Sequence, residues 1–243
     1  MPARQPPADE EGNLPEVLPP EVLDLAKLEG SPAKSYLMRV RVARNLRRFP
    51  LPAAMAVEQR CMMEKLVLNL AVNELIANKD FGGKYHSLTP GHPNLIGVPT
   101  HEKLVADHLM FKDFSGDKCR ASAGIALDWP HGRGCYISAD SSVVMWVGHE
   151  DHLTIMSIHS GSVINQVFGR LEAALDVLQS VGGIEFAISP DYGAVTSCPT
   201  NIGTGPTVAR DQEAGPVQHF VRFYSRRPAR REELRVLLLP CCP

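Results

Sequence analysis

Arg39-Val40-Arg41 is the first place where residue type and spacing could do chemistry. Two guanidinium groups at i and i+2 share one face if the segment is a strand, and each can fork onto phosphate oxygens. Arg44 adds a third cation shortly after. A solvated basic face is the competing reading of the same cluster. The usual phosphate-cradling loops are missing: there is no GxxxxGK[ST] and no GxGxxG, and Phe81-Gly82-Gly83-Lys84 lacks both the length and the terminal hydroxyl. Any phosphate site must therefore be built from arginine. His149-Glu150-Asp151-His152 clusters four metal-capable side chains but lacks the HExxH spacing and has no evident third ligand, which argues against zinc. His108, near Leu104 and Phe111, also reads as a helical core histidine. The six cysteines form no CxxC pair; Cys61, Cys119 and Cys135 read as small buried hydrophobes, and Cys198 stands apart from them.

Elements must hold these groups in place. Apolar residues Met62, Leu66 and Leu70 at four-residue spacing predict a helix over Glu58–Ala77, with Glu64 and Lys65 at polar positions. Tyr136–Ile137 and Val143–Val147 predict a hairpin around a polar connection. Val163, Val167, Leu171, Leu175 and Leu178 mark a second helix, with Ser162 as N-cap and Gly182-Gly183 as the stop. Phe186–Ile188 and Ala194–Thr196 read as strands bracketing Ser189-Pro190-Asp191, the second leading into Cys198. Residues 1–34 are proline-rich and read as a mobile leader, 35–205 as the folded domain, and 206–243 as an Arg-rich tail. A formal net charge of -2 gives no overall positive field toward nucleic acid or anionic membrane. No apolar run approaches the roughly 18 residues of a membrane span, and the N-terminus lacks the apolar stretch of a secretory signal, so a cytoplasmic protein is expected.

Four segments taken together, Arg39–Asn45, Trp129-Pro130-His131-Gly132-Arg133-Gly134, Glu150-Asp151-His152-Leu153 and Cys198-Pro199-Thr200-Asn201-Ile202-Gly203-Thr204, resemble in content and order the motifs of the ATP:guanidino phosphotransferases, the phosphagen kinase family. Asp107-His108-Leu109-Met110-Phe111-Lys112 is similar to another family segment, and the resemblance runs from about Tyr36 to Gly205. It implies an α/β (α+β) domain with a large, mainly antiparallel sheet flanked by helices. It also implies reversible transfer of the γ-phosphoryl group of Mg-ATP to the nitrogen of a small guanidino substrate. Residue by residue, it implies that Arg39 and Arg41 hold ATP or ADP phosphates and that His108 packs against adenine. Glu150 would align the acceptor guanidinium by bidentate hydrogen bonds, and the Cys198 thiolate would lie beside it, with Thr200 and Asn201 as donors that favour the thiolate.

The resemblance also has departures. Leu37-Met38 stand where small hydroxyl residues are usual, Thr154 takes the place of an ATP-binding arginine, and Gly205-Pro206-Thr207 does not continue into the expected strand, so Arg210 could substitute only after a shift. Asp211–Pro243 carries no counterpart of the family's C-terminal segment, and about 35 residues precede the arginine motif where a substrate-specificity domain is expected. The reading is therefore a catalytic domain truncated at both ends and incomplete at its C-terminal edge, with homodimerisation through that edge expected. A catalytically weak nucleotide-binding relic or regulatory partner and a protein-arginine kinase are the alternative functions.

Overall fold

The computed structural model describes residues 36–114, 116–161, 164–198 and 201–203, together with the backbone of 207–211, 219–224 and 235–239. The architecture is an eight-stranded sheet in the order β10-β9-β8-β1-β5-β4-β3-β2. Its strands are β1 (Tyr36–Arg44), β2 (Lys84–Ser87), β3 (Gly134–Ile137), β4 (Val143–Val147), β5 (Leu153–Gly161), β8 (Thr207–Asp211), β9 (His219–Tyr224) and β10 (Arg235–Leu239). The pairings are antiparallel throughout. A two-stranded ribbon, β6 (Ile188–Ser189) and β7 (Gly193–Ala194), carries the chain toward Cys198. The helices are α1 (Val57–Val67), which continues through a π-helical stretch Leu68–Val72 into α2 (Asn73–Ala77), then α3 (Val98–Ala106), α4 (Lys118–Ser122) and α5 (Ile164–Ser180). The expected hairpin is β3–β4, and the two predicted long helices are present; Ser162, the predicted N-cap, lies outside the described residues.

Alternation along β1 decides what the sheet does on each side. Met38, Val40 and Val42 are buried in a core formed with Leu153 and Ile155 of β5, Val167, Leu171, Ala174 and Leu178 of α5, and Met63 and Val67 of α1. The α5 residues recur at four and three, the spacing that puts them on one helical stripe. Leu37, Arg39 and Arg41 alternate with these residues and take the other face of the sheet. There a second cluster, including Met110, Phe111, Phe114, Val144 and Met156, covers the sheet with Trp129, Trp146 and Ile158 packed against it.

Glu64, read from the sequence as a polar position on the helix, lies in the interior. It is 1% exposed, and its carboxylate accepts hydrogen bonds from Tyr85 Oη at 3.0 Å, Ser87 Oγ at 2.6 Å and Thr89 Oγ1 at 2.5 Å. Helical periodicity does not reveal that β2 and the residues after it bring three hydroxyls to this point. A buried carboxylate is tolerated when its lone pairs are matched in this way. Thr89 Oγ1 in turn accepts from Gly132 N at 2.8 Å, so the cluster fixes the loop containing Arg133.

Candidate active site

The arginine row comes from β1. Arg39 pairs with Ile158 and Arg41 with Met156 across the β1–β5 ladder, which puts both half-buried guanidinium groups on the aromatic side of the sheet. Arg44 pairs with Leu153, one step out of phase, and does not join the row. Thr154 pairs with Ala43 and lies in phase with it, so the threonine that replaces an expected arginine stands on the same face as Arg39 and Arg41. Arg210 pairs with Met38, in the other phase of the ladder.

Beside the row stands an aromatic wall around His149. The imidazole centroid is 5.0 Å from Phe111, 5.5 Å from Phe114 and 5.0 Å from Trp146. Burial, with the nearby charges of Arg120, Arg41 and Arg133, pushes the His149 pKa down to about 3. His149 is thus a neutral ring at physiological pH, with the charges of Arg120, Arg41 and Arg133 near it. Arg133 is fully buried and pins the loop it belongs to: Nη2 donates to Ile125 O and Leu127 O, both at 2.9 Å, and Nη1 to His131 O at 3.0 Å. Its guanidinium lies 5.2 Å from the Trp129 ring centroid and 5.4 Å from that of Phe114. Burial, and Arg60 after it, lower its pKa to about 10, so it remains charged at neutral pH.

Glu150 sits in the short connection between β4 and β5. Gly148 sets the path of that connection: its φ is +70°, and a Cβ there would lie 2.2 Å from Gly132 O. Only glycine lets the two loops approach so closely. Asp151 then ties the connection to the rest of the site. Its Oδ1 accepts from Asn45 Nδ2 at 2.7 Å and from Ser197 N at 2.6 Å. Asn45 also donates to Val195 O at 3.1 Å and accepts from His152 N at 2.8 Å. His152 Nδ1 accepts from Leu46 N at 2.9 Å, which leaves Nε2 to donate to Pro50 O, also at 2.9 Å. The end of β1, the Glu150 connection and the Cys198 turn are therefore laced together by buried hydrogen bonds.

Glu150 and Cys198 are each the sequence neighbour of a residue in one hydrogen bond, that from Ser197 N to Asp151, so the fold brings their loops together. The Cys198 carbonyl accepts from Thr196 Oγ1 and Asn201 N, both at 2.9 Å. Asn201 thus shapes the turn through its backbone; Thr200 lies outside the described residues. His108 is exposed at a φ of +59°, just beyond α3, rather than buried in a helix. It lines a cleft of about 690 Å³ with Val98, His101, Glu102, Lys112 and Trp129 among its walls. Trp129 connects this cleft to the aromatic wall, its ring 6.1 Å from Phe111 and 5.3 Å from Phe114. His108 does not take part in the network that joins the Glu150 and Cys198 loops. Asn45, Arg133, His149 and Asp151 stand inside the motif segments, but the sequence alone gives Asn45 and Arg133 no role and offers His149 and Asp151 only a metal reading that their spacing disfavours. The available signal was their adjacency to Arg44, Gly132 and Glu150.

A family model described as ATP:guanido phosphotransferase, C-terminal catalytic domain, matches residues 62–208. An arginine kinase of Anthopleura japonica is 36% identical over 176 residues, covering 72% of this chain and 23% of that protein. The M-type creatine kinase of Torpedo marmorata is 31% identical over 170 residues, 69% of this chain and 42% of that one. Among solved structures, the duplicated taurocyamine kinase of Schistosoma mansoni with bound transition-state-analogue components is similar at a TM-score of 0.65 and 26% identity, over 81% of this chain and 26% of that one. The chain thus spans less than half the length of each of these relatives.

Proposed function

The chain belongs to the ATP:guanido phosphotransferase family, and from that premise we propose that it transfers the γ-phosphoryl group of Mg-ATP reversibly to a guanidino nitrogen. Phosphoryl transfer asks a protein mainly for positioning and charge neutralisation. Arg39 and Arg41 would hold the phosphates, their forks matching phosphate oxygens from one sheet face. The nucleotide with its magnesium supplies the phosphoryl group; the protein residues orient it and exclude water. His108, with the cleft wall at Trp129, would take the adenine. Glu150 would align the acceptor guanidinium and draw its proton as the N–P bond forms, and Cys198 would fix the guanidinium charge from the other loop.

The observation that carries this reading is the Asp151 bridge, because it couples the two acceptor-side loops to the strand that bears the phosphate row. The relatives differ in the acceptor their names give, arginine, creatine and taurocyamine, so the small acceptor is read only as a guanidino compound. The test is phosphorus NMR of the purified chain with Mg-ATP and, in turn, arginine, creatine, taurocyamine and an Arg-rich protein. An N-phosphoryl signal that disappears in Glu150→Gln supports the reading; absence of Mg-ADP binding overturns it.

Thr154 favours a second reading, a domain that binds nucleotide but turns over slowly. It stands on the face of the arginine row, where an arginine would add a further phosphate contact. A lost contact of this kind commonly removes about 3 kcal/mol of transition-state stabilisation, roughly a hundredfold in rate. Mg-ADP binding without an N-phosphoryl product from any acceptor is the outcome that selects this reading.

A further inference from the structure

Glu150, the carboxylate assigned to the acceptor, already holds a guanidinium, and it belongs to the chain itself. Arg120 Nε donates to Glu150 Oε1 at 2.9 Å, and Nη2 lies 2.8 Å from the same oxygen. On the other edge of the plane, Arg120 Nη1 donates to Asp117 Oδ2 at 2.5 Å. The Arg120 Cζ lies 5.6 Å from the centroid of the Phe114 ring. One planar cation is therefore met by a carboxylate on each edge and by an aromatic ring, the set of contacts that distinguishes a guanidinium from an ammonium.

Asp117 is itself held in place. Its Oδ1 accepts from Arg120 N at 2.9 Å, and its carbonyl accepts from Ala121 N at 3.0 Å, so it caps α4 while its second oxygen meets the guanidinium. The charges of Arg120 and Arg41 both lower the His149 pKa, so the cradle and the arginine row act on one imidazole. Glycines at positive φ, Gly116 at +87° and Gly124 at +74°, flank α4. The side chains of Arg120, Asp117 and Glu150 are 33%, 32% and 27% exposed, and ion pairs at such exposure are weak enough for a ligand to replace.

Resting on the assignment of Glu150 above, we propose that Glu150, Asp117 and Phe114 form a guanidinium-binding subsite which Arg120 occupies as an internal stand-in. An incoming guanidino ligand must displace it. Arg120 lowers the apparent affinity for that ligand by the fraction of time it fills the cradle. Asp117 and Phe114 thereby set the specificity for a planar, forked cation.

The experiment is calorimetric titration of the full chain with methylguanidine, without nucleotide, alongside a separate titration with Mg-ADP. If Arg120 fills the cradle for nine-tenths of the time, Arg120→Ala binds methylguanidine about tenfold more tightly than the wild type. Adding Asp117→Asn, which retains a good helix cap, removes most of that gain. Arg120→Lys, which keeps the charge but not the fork, lies between wild type and Arg120→Ala and serves if the alanine variant does not fold. Equal or weaker methylguanidine binding by the folded Arg120 variants overturns the proposal, as does an Asp117→Asn change that leaves the gain intact. Mg-ADP binding distinguishes the two levels of argument. Retained Mg-ADP affinity with no methylguanidine gain rejects the cradle alone, whereas loss of Mg-ADP binding in the wild type with the gain present rejects the phosphotransferase reading alone.

Discussion

Replacing Asn45 by aspartate tests whether the Asp151 bridge holds the site together. Asn45 is 1% exposed, with Nδ2 2.7 Å from Asp151 Oδ1 and 3.1 Å from Val195 O. Asn45→Asp keeps the acceptor for His152 N but turns this donor into an oxygen facing two other oxygens. Two like charges at 2.7 Å would repel by roughly 6 kcal/mol at an effective dielectric of 20. Binding a proton at pH 7 to a carboxyl of ordinary pKa costs only about 4 kcal/mol, so protonation wins and the pair shares one proton. Burial already pushes the Asp151 pKa up, against the lowering by Ser197 and Asn45, so the low-dielectric setting supports the same outcome. The shared proton restores the bond lost with the amide, while an unpartnered Val195 O costs about 2 kcal/mol, leaving a net destabilisation of about 6 kcal/mol at pH 7. The sign with pH follows from the raised folded-state pKa: stability is full below the unfolded carboxyl value near 4 and is lost as pH rises toward the folded one. Relative to wild type, the variant should therefore lose about 2.7 kcal/mol between pH 5 and pH 7, at about 1.4 kcal/mol per unit. Urea denaturation of wild type, Asn45→Asp and Asn45→Ala at those pH values measures it, with the alanine variant's deficit changing less with pH because it only removes one hydrogen bond that lowers the Asp151 pKa. A flat deficit for Asn45→Asp would refute the shared-proton geometry.

Glu150→Gln should abolish acceptor turnover while leaving Mg-ADP affinity within about twofold, whereas Arg41→Ala should weaken Mg-ADP by about tenfold or more; calorimetry on both variants checks the division, and equal nucleotide affinities would reject it. At neutral pH iodoacetamide should modify Cys198 well before Cys135, whose thiol burial pushes up to about 12, and before Cys61, raised by burial and by Glu64; peptide mapping by mass spectrometry reads the order. Acid should destabilise the domain through His149 and His152, whose pKa values burial depresses to about 3 and about 4. Stability is then full above the unfolded imidazole value near 6.5 and falls below it by up to about 1.4 kcal/mol per unit for each ring, so His152→Asn should flatten the loss seen in denaturation at pH 6 and pH 4.5.

The parts of this fold visible in the sequence were those whose pattern is local. Leu171 and Leu178 repeat along one stripe of α5, and Val143–Val147 is a β-branched run, so both elements could be read from periodicity. Arg39 and Arg41 share a face because strand geometry requires it. The burial of Glu64 is not legible in the sequence because the hydroxyls of Tyr85, Ser87 and Thr89 lie more than twenty residues away, and no window contains them. The same holds for Asn45 and Asp151, which are 106 residues apart in the chain and 2.7 Å apart in the fold. The pairing of β8 with β1 was equally invisible, since composition around Arg210 is dominated by charge and the strand is defined only by its register against Leu37–Arg41. Arg120 was overlooked for a different reason: a single arginine in a short helix has no sequence signature, and only its position between two carboxylates gives it meaning.

Under the proposed assignment, one strand links the donor and acceptor sides of the site. Arg39 and Arg41 project from β1 on the aromatic side, and Asn45 at its end anchors Asp151 and, through it, the loops of Glu150 and Cys198. Four residue steps of extended chain, roughly 13 Å at strand rise, lead from Arg41 to Asn45. That spacing cannot adapt to a wrong register, because β1 is paired on both sides, with β5 over its whole length and with β8 from Leu37 to Arg41. A one-residue slip would turn the arginine row into the Met38-Val40-Val42 core and expose that core to solvent, so burial of those three side chains also fixes where the phosphates would lie. The arginine row and the Asn45 anchor thus owe their relative position to the hydrophobic face of the strand, and in the reading proposed above the Glu150 and Cys198 loops tied to that anchor would meet the acceptor. Under that proposal the phosphate side is set by strand register and the acceptor side by loops, a division that suits relatives named for different guanidino acceptors.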